Sequence, residues 1–161
     1  MSDPLDALAE AFPDHVEVVD DLRGDPALRV GKDKLHDVVE RLKDDGYDML
    51  ILVTAVDNFL EEPRFEVVYV LRSLEKNADV RLNVPVPGED PEVATVTDLY
   101  PTANWLERET YDMFGVRFAG HPNLERILMW EGFEGHPLRK DYPLLGNTPG
   151  TPGYRGKGGR P

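Results

Sequence analysis

The chain has 161 residues, enough for one domain whose core needs no metal or disulfide staple. It contains no cysteine, which excludes disulfides, thiolate zinc sites, cysteine nucleophiles and iron–sulfur clusters ligated by its own thiolates. Its 31 acidic residues outnumber 18 basic ones, a net charge of −13, and that balance disfavours nucleic acid and anionic lipid as partners, since both select a basic face.

Asp3 and Pro4 read as an N-cap and first helical residue, opening a helix through Leu5, Leu8 and Phe12 that Pro13 ends. Residues 15–20 and 27–30 are expected to be short strands separated by a turn at Gly24, Asp25 and Pro26. Over 32–45, Leu35, Val38, Val39 and Leu42 recur at one helical face, with Gly46 placed to stop the helix. Residues 49–56 are almost continuously apolar and predict a strand buried on both faces; 65–71 pairs with it across a hairpin loop. Residues 79–86 alternate, and Pro85 suggests an edge strand. A turn at 87–91 leads to 93–96, a further short strand or a helix entry. A second helix starts at Pro101 or Thr102 and runs to Phe114, where Gly115 stops it; 116–118 is briefly extended.

These elements predict a single α/β (α+β) domain over 1–118, a mixed β-sheet packed by helices, followed by a long irregular C-terminal arm over 119–161. Between Gly120 and Leu145 the arm carries apolar and aromatic residues without periodicity, and from Pro143 ten of nineteen residues are glycine or proline. Such a segment cannot fold alone yet is too apolar for a disordered tail. It packs either on its own body or on a partner. Its cationic end (Arg155, Lys157 and Arg160, after the last acid, Asp141) on an acidic body favours a partner. No signal-peptide pattern or membrane-spanning apolar run is read, so any link to a membrane is expected to pass through another protein.

Three patterns invite a catalytic or ligand-binding reading. Glu107, Arg108, Glu109 and Asp112 share a helix, where Arg108 and Asp112 are i, i+4 partners. A carboxylate pair there could do acid–base work, but a solvated or interfacial charged face is the plainer expectation. His121 and His136, with Glu131, Glu134 and Asp141 as co-ligands, could hold a metal. Fifteen positions separate the two histidines, however, and both precede a proline, so they read as pinned bends. Residues 150–158 superficially resemble a phosphate loop, but Thr151 stands where the first glycine belongs and Gly158 where Ser or Thr follows the lysine. No active site is read from this chain.

Residues 107–128 (ERETYDMFGVRFAGHPNLERIL) closely resemble the signature of the respiratory complex I thirty-kilodalton subunit family, the C subunit of NADH–quinone oxidoreductase. Residues 134–143 (EGHPLRKDYP) look like its second block; 97–101, 104–106 and 52–57 are similar too. One departure is Glu125, where the family often has a basic residue. The resemblance implies a peripheral subunit with no cofactor of its own, beside the large quinone-site (D) subunit and near the B and I subunits. NADH, FMN, iron–sulfur clusters and quinone would be bound by other subunits, on the cytoplasmic side of a bacterial or archaeal membrane. The complex would couple NADH oxidation to cation pumping, and this chain would assemble the quinone-reducing module.

The resemblance also implies structural roles. Glu107, Arg108, Glu109 and Asp112 would form an ion-pair network at or under the partner contact, Gly115 would end the helix, and His121 with Pro122 would steer the chain away from the domain. Arg126, Gly135, His136, Pro137 and Pro143 belong to the same two blocks. Arg139, Lys140 and Asp141 would anchor the interface, so that reversing the charge of Arg139 would weaken assembly and leave the isolated domain folded. The alternatives are the equivalent subunit of a membrane-bound hydrogenase or ferredoxin-linked relative, a stand-alone hydrolase using Glu107, Glu109 and His121, and a binding module outside any redox complex.

Overall fold

The computed structural model describes residues 4–20 and 26–143. Helix α1 (Pro4–Ala11) buries Leu5 and Leu8, three residues apart on one face. Strands β1 (Val16–Asp20) and β2 (Pro26–Val30) pair antiparallel. The helix expected over 32–45 divides into a 3₁₀ turn, Lys32–Lys34, and α2 (Leu35–Asp44). No side chain caps α2, and its entry tightens instead through an i→i+3 bond from the Lys34 N–H to the Gly31 carbonyl. At its other end the Gly46 and Tyr47 N–H groups donate to the Lys43 and Leu42 carbonyls, the double bond of a Schellman stop.

Strands β3 (Met49–Asp57), β4 (Phe65–Ser73) and β5 (Ala78–Val86) form a meander. The five-stranded sheet runs β1-β2-β5-β4-β3, with β2 and β5 parallel and the other pairs antiparallel. Leu28 and Val30 of β2, Phe65, Val67, Tyr69 and Leu71 of β4, and Val80, Leu82, Val84 and Val86 of β5 point into the core with α2's Leu35, Val38, Val39 and Leu42.

Two sequence expectations are corrected here. Strand β3 is not buried on both faces: it is an edge strand, and Met49, Ile51, Leu52 and Val56 are exposed. A bulge between Leu50 and Leu52 shifts its alternation, so Leu50 and Val53, three apart, both face inward. Conversely, Pro85 lies on β5, an interior strand. It is tolerated because β2 pairs with β5 only as far as Asn83, which leaves that end with one neighbour.

Beyond the meander, β6 (Glu92–Ala94) and β7 (Arg117–Ala119) make a separate two-stranded parallel sheet, joined by α3 (Ala103–Phe114). The result is an α+β domain with a mixed main sheet, followed by residues 120–143 without helix or strand. No helix among the described residues is long and apolar enough to cross a membrane. Leu82→Ala, at a fully buried site in the sheet's interior, is expected to lower stability by about 3 kcal/mol in urea unfolding.

Candidate functional site

Helix α3 carries the charged cluster singled out in the sequence, and two of its carboxylates face inward. Ala103, Glu107, Thr110 and Phe114 recur at i, i+4, i+7 and i+11 and are all buried. Thr110 fixes this face to β3, its hydroxyl donating to the Val53 carbonyl at 3.1 Å. Of the expected solvated or interfacial charged face, Glu109 lies outside, but the solvated reading is corrected for Glu107 and Asp112, which are fully buried. The i, i+4 pair of Arg108 with Asp112 does not form either. Arg108 donates instead from Nε to the Glu125 carbonyl and lies over the Trp105 ring.

Glu107 is held by the loop after β6. The Val96 N–H donates to its Oε1 at 2.8 Å and the Thr95 hydroxyl to its Oε2 at 2.5 Å. Burial pushes this carboxyl up to about 7; the bonds from Thr95 and Val96 oppose the shift and the charge of Asp98 adds to it. The Tyr69 hydroxyl is buried without a hydrogen-bond partner among the described residues, and burial together with the Glu107 charge holds it well above the usual phenol range. His121 Nε2 lies 4.0 Å from the Glu107 carboxylate. Its Nδ1 accepts the Asn123 N–H and its Nε2–H donates to the Asn104 carbonyl at 3.1 Å. His121 thus clasps α3 to the root of the arm.

Asp112 organises the next segment. Its Oδ2 accepts the N–H groups of Ile127, Leu128 and Met129 at 3.1, 2.8 and 2.9 Å, and its Oδ1 takes Arg126 at 3.1 Å. Arg126 reaches on to the Gly135 carbonyl and covers the Phe133 ring. A carboxylate in the last turn of a helix opposes the dipole. Four donors, one of them cationic, offset that cost here.

The C-terminus of α3 leaves four carbonyls without helical partners. Gly115, at φ +76°, turns back to satisfy Tyr111, and the arm supplies the other three. His136 Nδ1–H donates to Asp112 O, the Leu138 N–H to Met113 O, and Arg139 Nε to Phe114 O. The approach at Gly115 is close: a β-carbon there would stand 2.6 Å from both the Arg139 guanidinium and the His136 ring. Burial also lowers the His136 pKa, which keeps the imidazole neutral near the two arginines.

A second tether lies at the β3–β4 loop. Asp57 takes Arg64 in a bidentate pair at 2.8 Å for each bond and accepts the Lys140 and Phe59 N–H groups. The guanidinium and these N–H donors hold its carboxyl far below the usual range. Arg64 also pairs with Asp141 at 3.1 Å. Asp57 and Arg64 escaped the sequence reading as site residues. The available signal was an acid closing an apolar strand with an arginine just beyond the hairpin loop.

Residues 119–143 therefore lie along their own α3 and hairpin loop. Pro122 and Pro143 are exposed, Pro137 is half-buried, and the Lys140 side chain is exposed while its backbone is held. Arg139 is engaged within the chain, also stacking on Phe65, so charge reversal there would disturb the isolated domain, contrary to the sequence expectation. The side chains of Glu107 and His121 are fully buried, whereas Glu109 is exposed, so the hydrolase trio shares no open cleft. Among the described residues no three histidine or acidic side chains converge as metal ligands. The glycine-rich stretch at 150–158 lies outside the described residues.

The family model for the respiratory-chain NADH dehydrogenase 30 kDa subunit matches residues 28–148. The NADH-quinone oxidoreductase C subunit of Citrifermentans bemidjiense is 42% identical over 151 residues, covering 93% of this chain and 92% of that protein. Its counterpart of the same name from Roseiflexus sp. (strain RS-1) is 46% identical over 143 residues, 87% of this chain and 82% of its own. The Salinispora tropica protein is 44% identical over 148 residues and 88% of this chain, which spans only 60% of that relative's length. Among solved structures, a trypsin-resistant fragment (1–134) of Nqo5 aligns with TM-score 0.66 at 34% identity, covering 74% of this chain and 97% of the fragment. A chain of the membrane-bound sulfane sulfur reductase, an archaeal respiratory membrane complex, aligns with TM-score 0.75 at 28% identity, over 88% of this chain and 84% of its own.

Two outcomes follow from this geometry. Glu107 is raised in the folded state, so its contribution is complete below its unfolded value of 4.5 and is lost as pH rises through about 7. Wild type is expected to lose about 3 kcal/mol over that window relative to Glu107→Gln, measured by urea titrations at several pH values. Gly115→Ala, strained in φ and driven into Arg139 and His136, should cost roughly 2 kcal/mol or more, read as a lowered Tm.

Proposed function

The chain belongs to the respiratory-chain NADH dehydrogenase 30 kDa subunit family, and from that premise we propose that it is a peripheral, cofactor-free subunit of NADH–quinone oxidoreductase, the one designated C. Its task is to assemble and hold the quinone-reducing module. It packs beside the quinone-site (D) subunit and near the B and I subunits, on the cytoplasmic side of the membrane. NADH, FMN, iron–sulfur clusters and quinone are handled by those and other subunits. In this reading the chain serves an oxidoreductase without carrying its chemistry, and its contact with the membrane runs through the complex.

The observation that carries this reading is how the family signature is used. Its charged residues do not line a cleft. Asp112, His121, Arg126, His136 and Arg139 close the seam between α3 and residues 119–143 through backbone groups of the chain itself, and Glu107 ties α3 to the Val96 N–H. Such a seam gives rigidity to a surface, and a rigid surface loses less conformational entropy when it docks. The same segment leaves large apolar side chains outside: Trp105, Leu128, Trp130 and Leu138 are each more than 40% exposed. Tryptophans presented on a braced surface are the residue type that anchors interfaces. A cysteine-free chain also fits a role without thiolate-ligated clusters.

A second reading takes support from the sulfane sulfur reductase likeness at 28% identity: the equivalent subunit in a hydrogenase-type or ferredoxin-linked relative. It keeps the scaffold role and changes the electron donor. The NADH-quinone oxidoreductase relatives, at 42–46% identity over most of the chain, favour the first.

Affinity purification of the tagged chain from its native membranes separates these outcomes. Recovery of quinone-site and iron–sulfur subunits with NADH-driven quinone reduction is the expected result. The same partners without NADH activity would favour the second reading. A chain that comes out alone and monodisperse would overturn both.

A further inference from the structure

The seam has an outer side that the chain leaves uncovered. Trp105 is 63% exposed, Leu128 55% and Trp130 44%, although these are large apolar side chains on a strongly charged protein. Leu128 and Trp130 lie on the arm just past Glu125, whose carbonyl meets Arg108, one turn along α3 from Trp105. Trp105 is linked through the Arg108 guanidinium, 5.2 Å from its ring, to the Glu125 carbonyl. Leu128 is held three residues further on by its N–H bond to Asp112, and Trp130 is fixed edge-on against the buried Phe133 at 4.8 Å. The patch is thus rigidly mounted, since each of its members is tied to a buried group or to the helix.

Its electrostatics are one-sided. Glu109 sits one turn from Trp105 on α3, Glu125 follows Arg108's contact, and Glu131 adjoins Trp130. All three are exposed, and none has a cationic partner among the described residues; Glu125 only meets the Asn123 amide at 3.5 Å. The neighbouring cations are engaged elsewhere. Arg126 is paired with Asp112, and Arg139 bonds the end of α3. Arg108 lies over the Trp105 ring and spends its Nε on a backbone carbonyl rather than on a carboxylate.

We propose that the patch of Trp105, Leu128 and Trp130, bordered by Glu109, Glu125 and Glu131, docks a lysine- or arginine-bearing segment of another subunit. Aromatic faces and carboxylates together suit a cationic side chain twice over, through the ring quadrupole and through charge pairing. An apolar or acidic partner segment would leave three carboxylates facing a desolvated or like-charged surface. The proposal rests on the subunit reading above and adds the chemistry of the contact.

The test uses the whole complex in its native host. Trp105 is replaced by the photoreactive p-benzoylphenylalanine, the membranes are irradiated, and the cross-linked peptide is identified by mass spectrometry. A peptide of another subunit carrying lysine or arginine at the attachment site is the expected product. In parallel, Glu109→Lys with Glu125→Lys should reduce retention of the chain in the purified complex at least fivefold at moderate salt, with Tm unchanged because both side chains are exposed. Cross-links confined to this chain, or to a segment without basic residues, would overturn the proposal, as would undiminished retention of the charge-reversed chain. Failure of the subunit reading has a different signature: the unsubstituted chain would leave the membranes alone, and the patch proposal would fall with it.

Discussion

The Asp112 carboxylate, buried in the last turn of α3, is the constraint around which the second half of the chain is arranged. A carboxylate at that end of a helix meets the negative pole of the dipole and has left water. The following chain wraps it: three consecutive N–H groups of Ile127, Leu128 and Met129 converge on one oxygen and Arg126 reaches the other. Those three bonds dictate the backbone path of 127–129. Arg126 then fixes Gly135, which brings His136, Leu138 and Arg139 within reach of the last carbonyls of α3. Helix end and arm each supply the polar partners the other lacks.

This mutual satisfaction explains why apolar side chains of the arm remain outside. Backbone and cationic groups of 126–141 are engaged in holding the seam, and a second tether at Asp57 and Arg64 catches Lys140 and Asp141. Phe133 is the aromatic residue of the arm that turns in, beneath Arg126 and beside Tyr142. The arm behaves as a polar-stitched strap with an apolar outer side, the inverse of a segment that packs by hydrophobic collapse. Such a strap has little to offer as a catalytic device and much as a surface.

Much of the fold was legible because local signals agreed with tertiary placement. Helix α2 announced itself through Leu35, Val38, Val39 and Leu42 and stopped at Gly46; α3 stopped at Gly115. What misled were places where one tertiary feature overrode a local pattern. The edge place of β3 left one side of an apolar run exposed, the bulge at Ile51 shifted its alternation, and the short reach of β2 let Pro85 sit on an interior strand. The site was half legible. The signature blocks were visible as motifs, but charged residues at helical spacing read as a solvated face. The groups that bury Asp112 are fifteen to seventeen residues away and are backbone N–H groups, which no side-chain pattern reports. Glu107 did leave a signal, lying on the same stripe as Ala103, Thr110 and Phe114.

The central claim is that the signature segment is a folded part of this chain, organised on Asp112 before any partner arrives. Amide hydrogen exchange on the isolated chain at Ile127, Leu128 and Met129 tests it most directly. These three amides are expected to be protected at least a hundredfold over unstructured rates, with that protection lost together in Asp112→Ala while the amides of β4 and β5 stay protected. Exchange at unstructured rates in the isolated wild-type chain would contradict it, and would make the strap a segment ordered only by its partner.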